Sequence, residues 1–232
     1  NDQTHFKNFQ YNKGSGTDFL GFDNGLRSLN GGINATLRPM NNGYDLLNNG
    51  LNNDWSIKNR KPIADLSLSM NIAHRWVSES GRTLAMLGAV NYSNTYKTYL
   101  NMDNNLYGAY DITHDRSNYL RKGVDDQYNH NVRVGAMLNL TYVPASGNNR
   151  YEFKNIFNQL GKDRYTYRKG TDAQSDYEES AEYYYQSRTT YSGQFTGKHT
   201  WSDTDKLDWS AGYSYANRNM PDRRRYNTVL NT

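Results

Sequence analysis

The chain of 232 residues contains no cysteine, and this absence removes several classes of function at once. Disulfide frameworks, thiolate metal sites and cysteine nucleophiles all need the thiol. The sequence also lacks a Gly-rich phosphate loop, because "KGSG" precedes no helix. The five histidines form no H-x-x-x-H pair, so neither a metal centre nor another cofactor is predicted; they are His5, His74, His114, His130 and His199.

Apolar residues are scarce as well: only 35% of the chain is hydrophobic, and no run of about 18 apolar residues offers a membrane helix. Disordered chains share this polarity, but they are poor in aromatic residues and carry a high net charge. With 21 Tyr, 4 Trp, 7 Phe and a net charge of +4, this chain is predicted to be ordered. That charge is too mild to imply nucleic acid as a partner. The polar start at Asn1 has no initiator Met or signal peptide, so we expect a mature, trimmed or internal chain.

Alternation of apolar and polar residues dominates the sequence from Asp65 onward and predicts β-strands. The pattern is weakest around Asn155, which interrupts a face shared by Tyr151, Phe153 and Phe157. No segment of comparable length has a helical period. Six strands are predicted, at residues 65–76, 84–92, 132–142, 151–157, 183–198 and 207–215.

The connections between these strands alternate between short and long. Short polar turns are expected at 78–82, 144–149 and 202–206, and long polar loops at 101–127, at 169–182 and after Met220. Transmembrane β-barrels have this arrangement, with short periplasmic turns and longer extracellular loops. Their apolar face meets lipid and their other face meets water, which also explains the low apolar content. The predicted fold class is therefore all-β, as part of an antiparallel transmembrane β-barrel.

Aromatic residues flank all three predicted short turns. A girdle of aromatic side chains at one membrane interface has this position, although aromatic residues also favour strands in general. The predicted interface residues are Trp76, Tyr142, Tyr151, Trp201 and Trp209.

Several phrases of the sequence resemble TonB-dependent outer-membrane receptors of the Bacteroidota, including their SusC-like branch. "DFLGFDNGLRSL" at residues 18–29 is similar to the family phrase "DFLGFDDGLRALP", and Trp55 with Pro62 stands where a W and a P precede the family's next strand. "SAGYSYANR" at residues 210–218 and "PDRR" at 221–224 resemble a later strand and the phrase that follows it. Asn30 departs from the pattern, because a proline is common there.

The resemblance implies a receptor with an amino-terminal plug and a barrel of about 22 strands. Because only six or seven strands are predicted here, the chain is expected to be an internal segment of such a receptor. Residues 1–64 would supply its first strand and a long extracellular loop, and residues 65–232 further barrel strands and loops. The plug and the remaining strands are not recognisable in the sequence.

The resemblance also implies the function. Such receptors are not enzymes: they import a glycan, a peptide or a siderophore-type ligand across the bacterial outer membrane when TonB pulls on the plug. Outer-membrane lipid and lipopolysaccharide are then expected neighbours, and a SusD-like surface lipoprotein is an expected partner in the SusC-like branch. The alternative is a soluble, secreted β-rich module that binds carbohydrate or acts as an adhesin.

Candidate substrate-binding residues follow from the alternation. Arg133, Arg188 and Tyr184 are predicted to face the lumen, where they would contact a substrate or the plug, or simply form a hydrated wall. Tyr183 and Tyr185 are predicted on the lipid side, as interface anchors.

The cluster Arg223, Arg224 and Arg225 follows the last predicted strand and is expected at the extracellular rim, a location that excludes nucleic acid. Two uses are expected there: pairing with acidic residues of neighbouring loops, or contact with lipopolysaccharide phosphates. Pro221 and Asp222 are predicted to fix a turn before the cluster.

A His–Asp pair and an aspartate cluster are interpreted as ordinary polar loops and not as a catalytic or calcium site. His114 beside Asp115 resembles the Asp/His pairs of outer-membrane proteases, but a solvated loop pair is the preferred interpretation. Asp203, Asp205 and Asp208 lie close together, yet they lack the glycine and the distal glutamate of a calcium-binding EF loop.

Overall fold

The computed structural model describes residues 8–27, 54–172, 174 and 176–230, and the fold of these residues is all-β. A single turn of 3-10 helix, Asp18–Leu20, interrupts the strands, and no helix in the described ranges is long and apolar enough to cross a membrane. The strands are β1 (Phe9–Tyr11), β2 (Lys58–Arg60), β3 (Leu66–Val77), β4 (Thr83–Asp103), β5 (Leu106–Asp111), β6 (Arg116–Val143), β7 (Asn149–Asp172), β8 (Tyr177–Thr200) and β9 (Lys206–Leu230).

Seven strands form one antiparallel sheet in the order β3-β4-β6-β7-β8-β9, with β5 paired to β6. All six predicted strands and all three predicted short turns are therefore confirmed. The separate pair of β1 and β2 forms its own two-stranded sheet, so the strand-like start of the chain does not join the main sheet. Among the described residues β3 and β9 are open edges, and the sheet does not close.

The predicted long loops are wrong, because most of their residues are strand. Strand β6 pairs with β7 without interruption from Tyr142 to Arg121, and β5 forms a hairpin with β6 inside the expected loop at 101–127. Main-chain pairing does not depend on side-chain polarity, so these polar stretches can extend the ladders of the sheet. Pro221 lies in a β-bulge of β9 and not in a turn, because two residues of β9 oppose one of β8 there.

The register gives the sheet two different faces. One lateral row joins Trp76, Leu84, Tyr142, Tyr151 and, beyond Gly197, Trp209 at the end that carries the short turns. The face that contains this row is called the apolar face, since its half nearest the short turns is rich in large apolar side chains. The opposite face, called the polar face, carries mainly Ser, Thr, Asn, Gln and charged residues; its exposed large apolar residues include Val77, Leu87, Ile156 and Val229.

The buried core lies on the half of the apolar face far from the short turns. There the N-terminal segment, defined as residues 8–27 and 54–65, covers a ladder of tyrosines. The Phe9 ring meets the rings of Tyr96 and Tyr128 edge-on at 5.1 and 5.7 Å, and the Trp55 ring meets Tyr183 at 5.7 Å. Tyr183 and Tyr185 are only 4% and 3% exposed, so they are core residues and not the interface anchors that were predicted.

The phrase "DFLGFDNGLR" is the main attachment of this segment. Arg27 forms a two-pronged ion pair with Asp18 at 2.7 and 2.5 Å, and its guanidinium lies 3.7 Å from the centre of the Tyr185 ring. Gly21 adopts a positive φ of 78° and its backbone rests directly on Gly161 of β7, where a β-carbon on either glycine would clash. The spacing of Asp, Gly and Arg in the phrase is therefore that of a docking motif.

Candidate functional site

Three arginines share one lateral row on the polar face. Arg133 of β6 lies opposite Leu160 of β7, which lies opposite Arg188 of β8, which in turn lies opposite Arg218 of β9. We call Arg133, Arg188 and Arg218 the arginine row. The strand spacing places Arg133 and Arg188 about 10 Å apart, with Arg188 and Arg218 about 5 Å apart at their β-carbons.

The arginine row has no acidic partner in the described part of the chain. All three side chains are exposed, and none of them belongs to an ion pair there. Like charges directly opposite each other on neighbouring strands destabilise a sheet, so the Arg188 and Arg218 pair costs stability. The positive potential of the row therefore attracts anions, and it lowers the stability of the protein without a bound anion.

A recess of about 400 Å³ adjoins the row between β4 and β8. Arg133 and Arg188 line it together with Leu160, and amide and hydroxyl groups from Asn91, Asn158 and Thr190 complete the wall. The recess thus offers two guanidinium forks, neutral hydrogen-bonding groups and one apolar contact, a combination suited to a small polar ligand with negative charge.

Tyr184, the third predicted site residue, lies on the same face and closer to the far end of the strands. Arg164 stacks 4.8 Å above its ring, and Arg223 lies 6.0 Å from the ring centre on the neighbouring strand. Arg218 reaches its hydroxyl at 3.4 Å, and that hydroxyl donates to Gln186. The tyrosine therefore connects the arginine row to the arginines above it.

Glu182 holds the upper arginines together. Its two carboxylate oxygens accept from Arg223 at 2.8 Å and from Arg164 at 3.4 Å. The same face carries a second compensated site nearer the strand ends, where Arg168 makes a two-pronged ion pair with Asp125 at 2.6 and 2.7 Å. Hydrogen bonding to Arg168 and Asn104 outweighs burial and lowers the pKa of Asp125. These arginines are neutralised within the sheet, unlike those of the arginine row.

The cluster Arg223, Arg224 and Arg225 is divided between the two faces. Arg223 pairs with Glu182 on the polar face, as the prediction of acidic partners requires, and Arg225 is exposed. Arg224 points the other way and is largely buried: it pairs with Asp222 at 2.6 Å, donates to the carbonyl oxygen of Asp54 at 2.8 Å and lies 5.1 Å from the ring of Trp55. It therefore fastens the N-terminal segment to β9.

Four of the predicted interface aromatics lie in the single lateral row at the short-turn end of the apolar face: Trp76, Tyr142, Tyr151 and Trp209. The Tyr142 and Tyr151 rings stack at 6.4 Å, and the indole of Trp209 covers Gly197, the residue between it and Tyr151. Trp201 begins the turn after β8 and is 68% exposed. The arrangement is an aromatic edge beside the turns, with Leu84 between Trp76 and Tyr142.

Two titratable groups lie under the N-terminal segment beside Arg27. Asp163 of β7 faces His130 of β6, and burial raises the pKa of the Asp163 carboxyl to about 6. Burial, with a smaller contribution from Arg60, lowers the pKa of His130 to about 3. The neutral imidazole accepts from Arg60 at 3.2 Å and donates to Asn94 at 2.9 Å. Burial thus favours the neutral form of both groups.

The His and Asp residues that the sequence singles out for catalysis or metal binding do not form such a site in the described residues. Within the described ranges no three His, Asp or Glu side chains converge as a metal site would require. His114 does not pair with Asp115 but with Asp111 at 2.8 Å, at an exposed hairpin tip. In the turn before β9, Ser202 donates to Asp205 at 2.8 Å, as an ordinary polar turn does.

Sequence reasoning found Arg133, Arg188 and Tyr184 but missed Arg218. The alternation of Asp208, Ser210 and their successors, continued past residue 215, would have placed Arg218 on the polar face. No protein-family model matches the chain, and no curated protein or solved structure matches it either. The sequence resemblance and the two faces of the sheet are therefore the features that bear on function.

Proposed function

We propose that this chain forms part of the wall of a transmembrane β-barrel and belongs to a TonB-dependent transporter of the bacterial outer membrane. The observation that carries the proposal is the apolar face next to the short turns. Its large side chains are exposed although the chain is polar overall, and they include Leu68, Met70, Ile72, Val90, Leu138, Phe153, Phe195, Tyr213 and Tyr215. A patch of this extent needs a cover, and acyl chains supply one.

The dimensions of the apolar band suit a bilayer. From Leu66 to Trp76 the band runs ten residue steps, which is about 33 Å along the strand. A tilt of about 45° reduces this to about 23 Å along the membrane normal, close to the apolar height of about 25 Å in outer-membrane barrels. Trp76, Tyr142, Tyr151 and Trp209 mark one border, where aromatic girdles lie.

The amide of Asn155, in the middle of the band, has a hydrogen-bond partner at both its nitrogen and its oxygen. The Asn155 amide donates to the carbonyl oxygen of Leu138 at 3.3 Å, and its oxygen accepts from the Tyr191 hydroxyl at 2.6 Å. Gly193 leaves the space that this bond requires, since a β-carbon there would lie 2.7 Å from that hydroxyl. In lipid an amide without partners costs about 4–8 kcal/mol. The hydrogen bonds of Asn155 reduce this cost, which explains why an asparagine is tolerated at this position.

The open edges point the same way. Strands β3 and β9 each expose a row of unpaired main-chain groups in the described sheet, and lipid cannot satisfy such groups. The proposal therefore requires further strands beyond both edges, as in the large barrel that the family resemblance implies. The strands also continue well past the band, and their far halves with the N-terminal segment form the extracellular wall.

Transport then follows the family mechanism. Cargo such as a glycan, a peptide or a siderophore-type ligand binds at the extracellular side against the polar face, and TonB pulls on a plug to admit it. No bond is broken, so the protein is not an enzyme. Arg133, Arg188 and Tyr184 line the path, and lipopolysaccharide and a SusD-like lipoprotein lie outside it.

Membrane extraction of the complete gene product tests the proposal. Cells expressing it are fractionated, the membranes are washed with alkaline carbonate, and the protein is extracted in detergent and run unheated and heated on a denaturing gel. We expect carbonate resistance, a need for detergent and a faster unheated band, because closed barrels resist unfolding. Recovery of native protein in the aqueous fraction without detergent would reject the transporter and favour the soluble carbohydrate-binding or adhesin module.

A further inference from the structure

We propose that the cargo is anionic and that the arginine row is where its carboxylate or phosphate groups bind. The inference rests on the proposed transport function, because the polar face is the path of the cargo only if the sheet belongs to a barrel wall. It adds the chemical class of the cargo. Its starting point is the arginine row, whose like charges destabilise the free protein.

The first step is the contrast between the arginines of the polar face. Arg164, Arg168 and Arg223 are each held by a carboxylate of this sheet, at 3.4, 2.6 and 2.8 Å respectively. Arg133 and Arg188 lie two same-face rows nearer the short turns than Arg164 and Arg223, and they have no such partner in the described ranges. The sheet thus neutralises these three arginines above the row, whereas those of the row have no carboxylate partner in the described ranges.

The second step is the cost of the row. Arg188 and Arg218 are directly opposite each other on β8 and β9, a position where an opposite charge stabilises and a like charge destabilises. A local arrangement that opposes folding is typical of a functional site. An anion between the two side chains reverses the sign of the interaction and forms charge-assisted hydrogen bonds with both guanidinium forks.

The third step is the space beside the row. The recess of about 400 Å³ between Arg133 and Arg188 holds a group of several non-hydrogen atoms, and Asn91, Asn158 and Thr190 offer hydrogen bonds for hydroxyl or amide groups next to the charge. Guanidinium forks bind carboxylate and phosphate with the same geometry. The shared chemistry is therefore an oxyanion on a polar scaffold, such as an acidic sugar or an acidic peptide.

The absence of cysteine from this chain allows a direct measurement. In the complete gene product, with any cysteine outside this chain replaced, Asn158→Cys places a thiol in the recess. The matched control is Ser69→Cys, because Ser69, Asn91, Gly135 and Asn158 form one lateral row of the polar face. The two thiols lie at the same depth but about 14 Å apart, beyond the screening length of about 8 Å at physiological salt.

Each purified variant is treated with an anionic and a cationic methanethiosulfonate reagent. We expect the ratio of the anionic to the cationic rate to be at least about tenfold higher at position 158 than at position 69, and to fall with salt. The change Arg133→Gln with Arg188→Gln should remove the preference. The pair Arg75→Gln and Arg82→Gln removes the same charge near the short turns and should leave it intact.

Protection of the position 158 thiol from a neutral reagent then identifies the anion. Citrate and pyrophosphate are tested separately, and protection by either one that is lost in the double arginine variant supports the proposal. Equal rates at both positions would overturn it. A second result would also overturn it: no reagent reaches the position 158 thiol, and the double arginine variant has a lower thermal stability. The arginine row would then bind acidic groups of the protein itself. None of these rates depends on membrane extraction, so the two proposals fail separately.

Discussion

A charge placed on Met70 tests whether the apolar face meets lipid. The Met70 side chain of β3 is 68% exposed, and it lies six residues from Trp76 in the aromatic row. Six residues span about 20 Å along a strand, or about 14 Å along the normal at a tilt of about 45°. Met70 is therefore near the middle of an apolar band about 25 Å high.

Met70→Lys is expected to destabilise the folded protein in a bilayer by about 2–4 kcal/mol, the cost of lysine on the lipid face at this depth. This corresponds to a change of about thirtyfold to a thousandfold in the unfolding equilibrium. The control is Asn71→Lys, at the next residue on the opposite face, where the new charge remains in water. Its expected effect is within about 0.5 kcal/mol.

The measurement is a urea titration of the complete gene product refolded into phosphatidylcholine vesicles, followed by tryptophan fluorescence. The difference between the two lysine variants is the quantity of interest, because both add the same charge and the same helix-favouring side chain to one strand. If Met70→Lys and Asn71→Lys agree within about 0.5 kcal/mol, both faces lie in water and the lipid-facing assignment is refuted.

Three further predictions concern the half of the sheet under the N-terminal segment. Gly161→Ala should release the N-terminal segment, because a β-carbon there would lie 2.5 Å from the Cα of Gly21. In the control Gly16→Ala, the new β-carbon meets nothing within 4 Å. Limited proteolysis measures the release of the segment in both variants. Arg224→Lys should lower the free energy of unfolding by about 1–2 kcal/mol, because lysine loses the hydrogen bonds of the guanidinium group and its contact with the aromatic rings. Arg225→Lys, at an exposed position, should lower it by about 0.5 kcal/mol or less. Burial raises the pKa of Asp163 to about 6, so the native state retains this proton and the contribution of the carboxyl to stability falls as the pH rises from about 4 to 6; Asp163→Asn should remove that contribution and raise the melting temperature at pH about 7.5.

Each of these expectations has a clear opposite. Equal protease resistance of the Gly161→Ala and Gly16→Ala variants would show that the segment does not rest on β7. Equal costs at positions 224 and 225 would show that Arg224 is solvated. An Asp163→Asn variant with unchanged stability at pH about 7.5 would show that the carboxylate ionises freely. In that variant His130, whose pKa burial lowers to about 3, should make stability fall as the pH drops below about 6.5.

The short-turn half of the sheet could be predicted because its signal is local. Apolar and polar residues alternate along most of these strands, and the turns contain the expected small polar residues. Loops are predicted at 101–127 and 169–182 in the far half because these stretches are polar, and the alternation does not show that tyrosines such as Tyr128, Tyr165 and Tyr183 are buried. Their burial depends on Phe9 and Trp55, more than 100 residues away for most pairs, and such contacts leave no local trace.

The division of the arginine cluster shows why alternation alone assigns faces incorrectly past an irregularity. Up to Asn219 the odd-numbered residues of β9 face the apolar side, but the bulge at Met220 and Pro221 inserts one extra residue and reverses the parity. Arg224 is thereby turned toward Trp55 and Tyr183, and Arg223 and Arg225 toward the polar face. If β9 continued from Asn219 as a regular ladder, Arg224 would face the polar side and its two neighbours the other, so that two guanidinium groups would need partners under the N-terminal segment. The bulge therefore connects the attachment of the N-terminal segment with the charge balance of the polar face, and it leaves the arginine row as the uncompensated part of that balance.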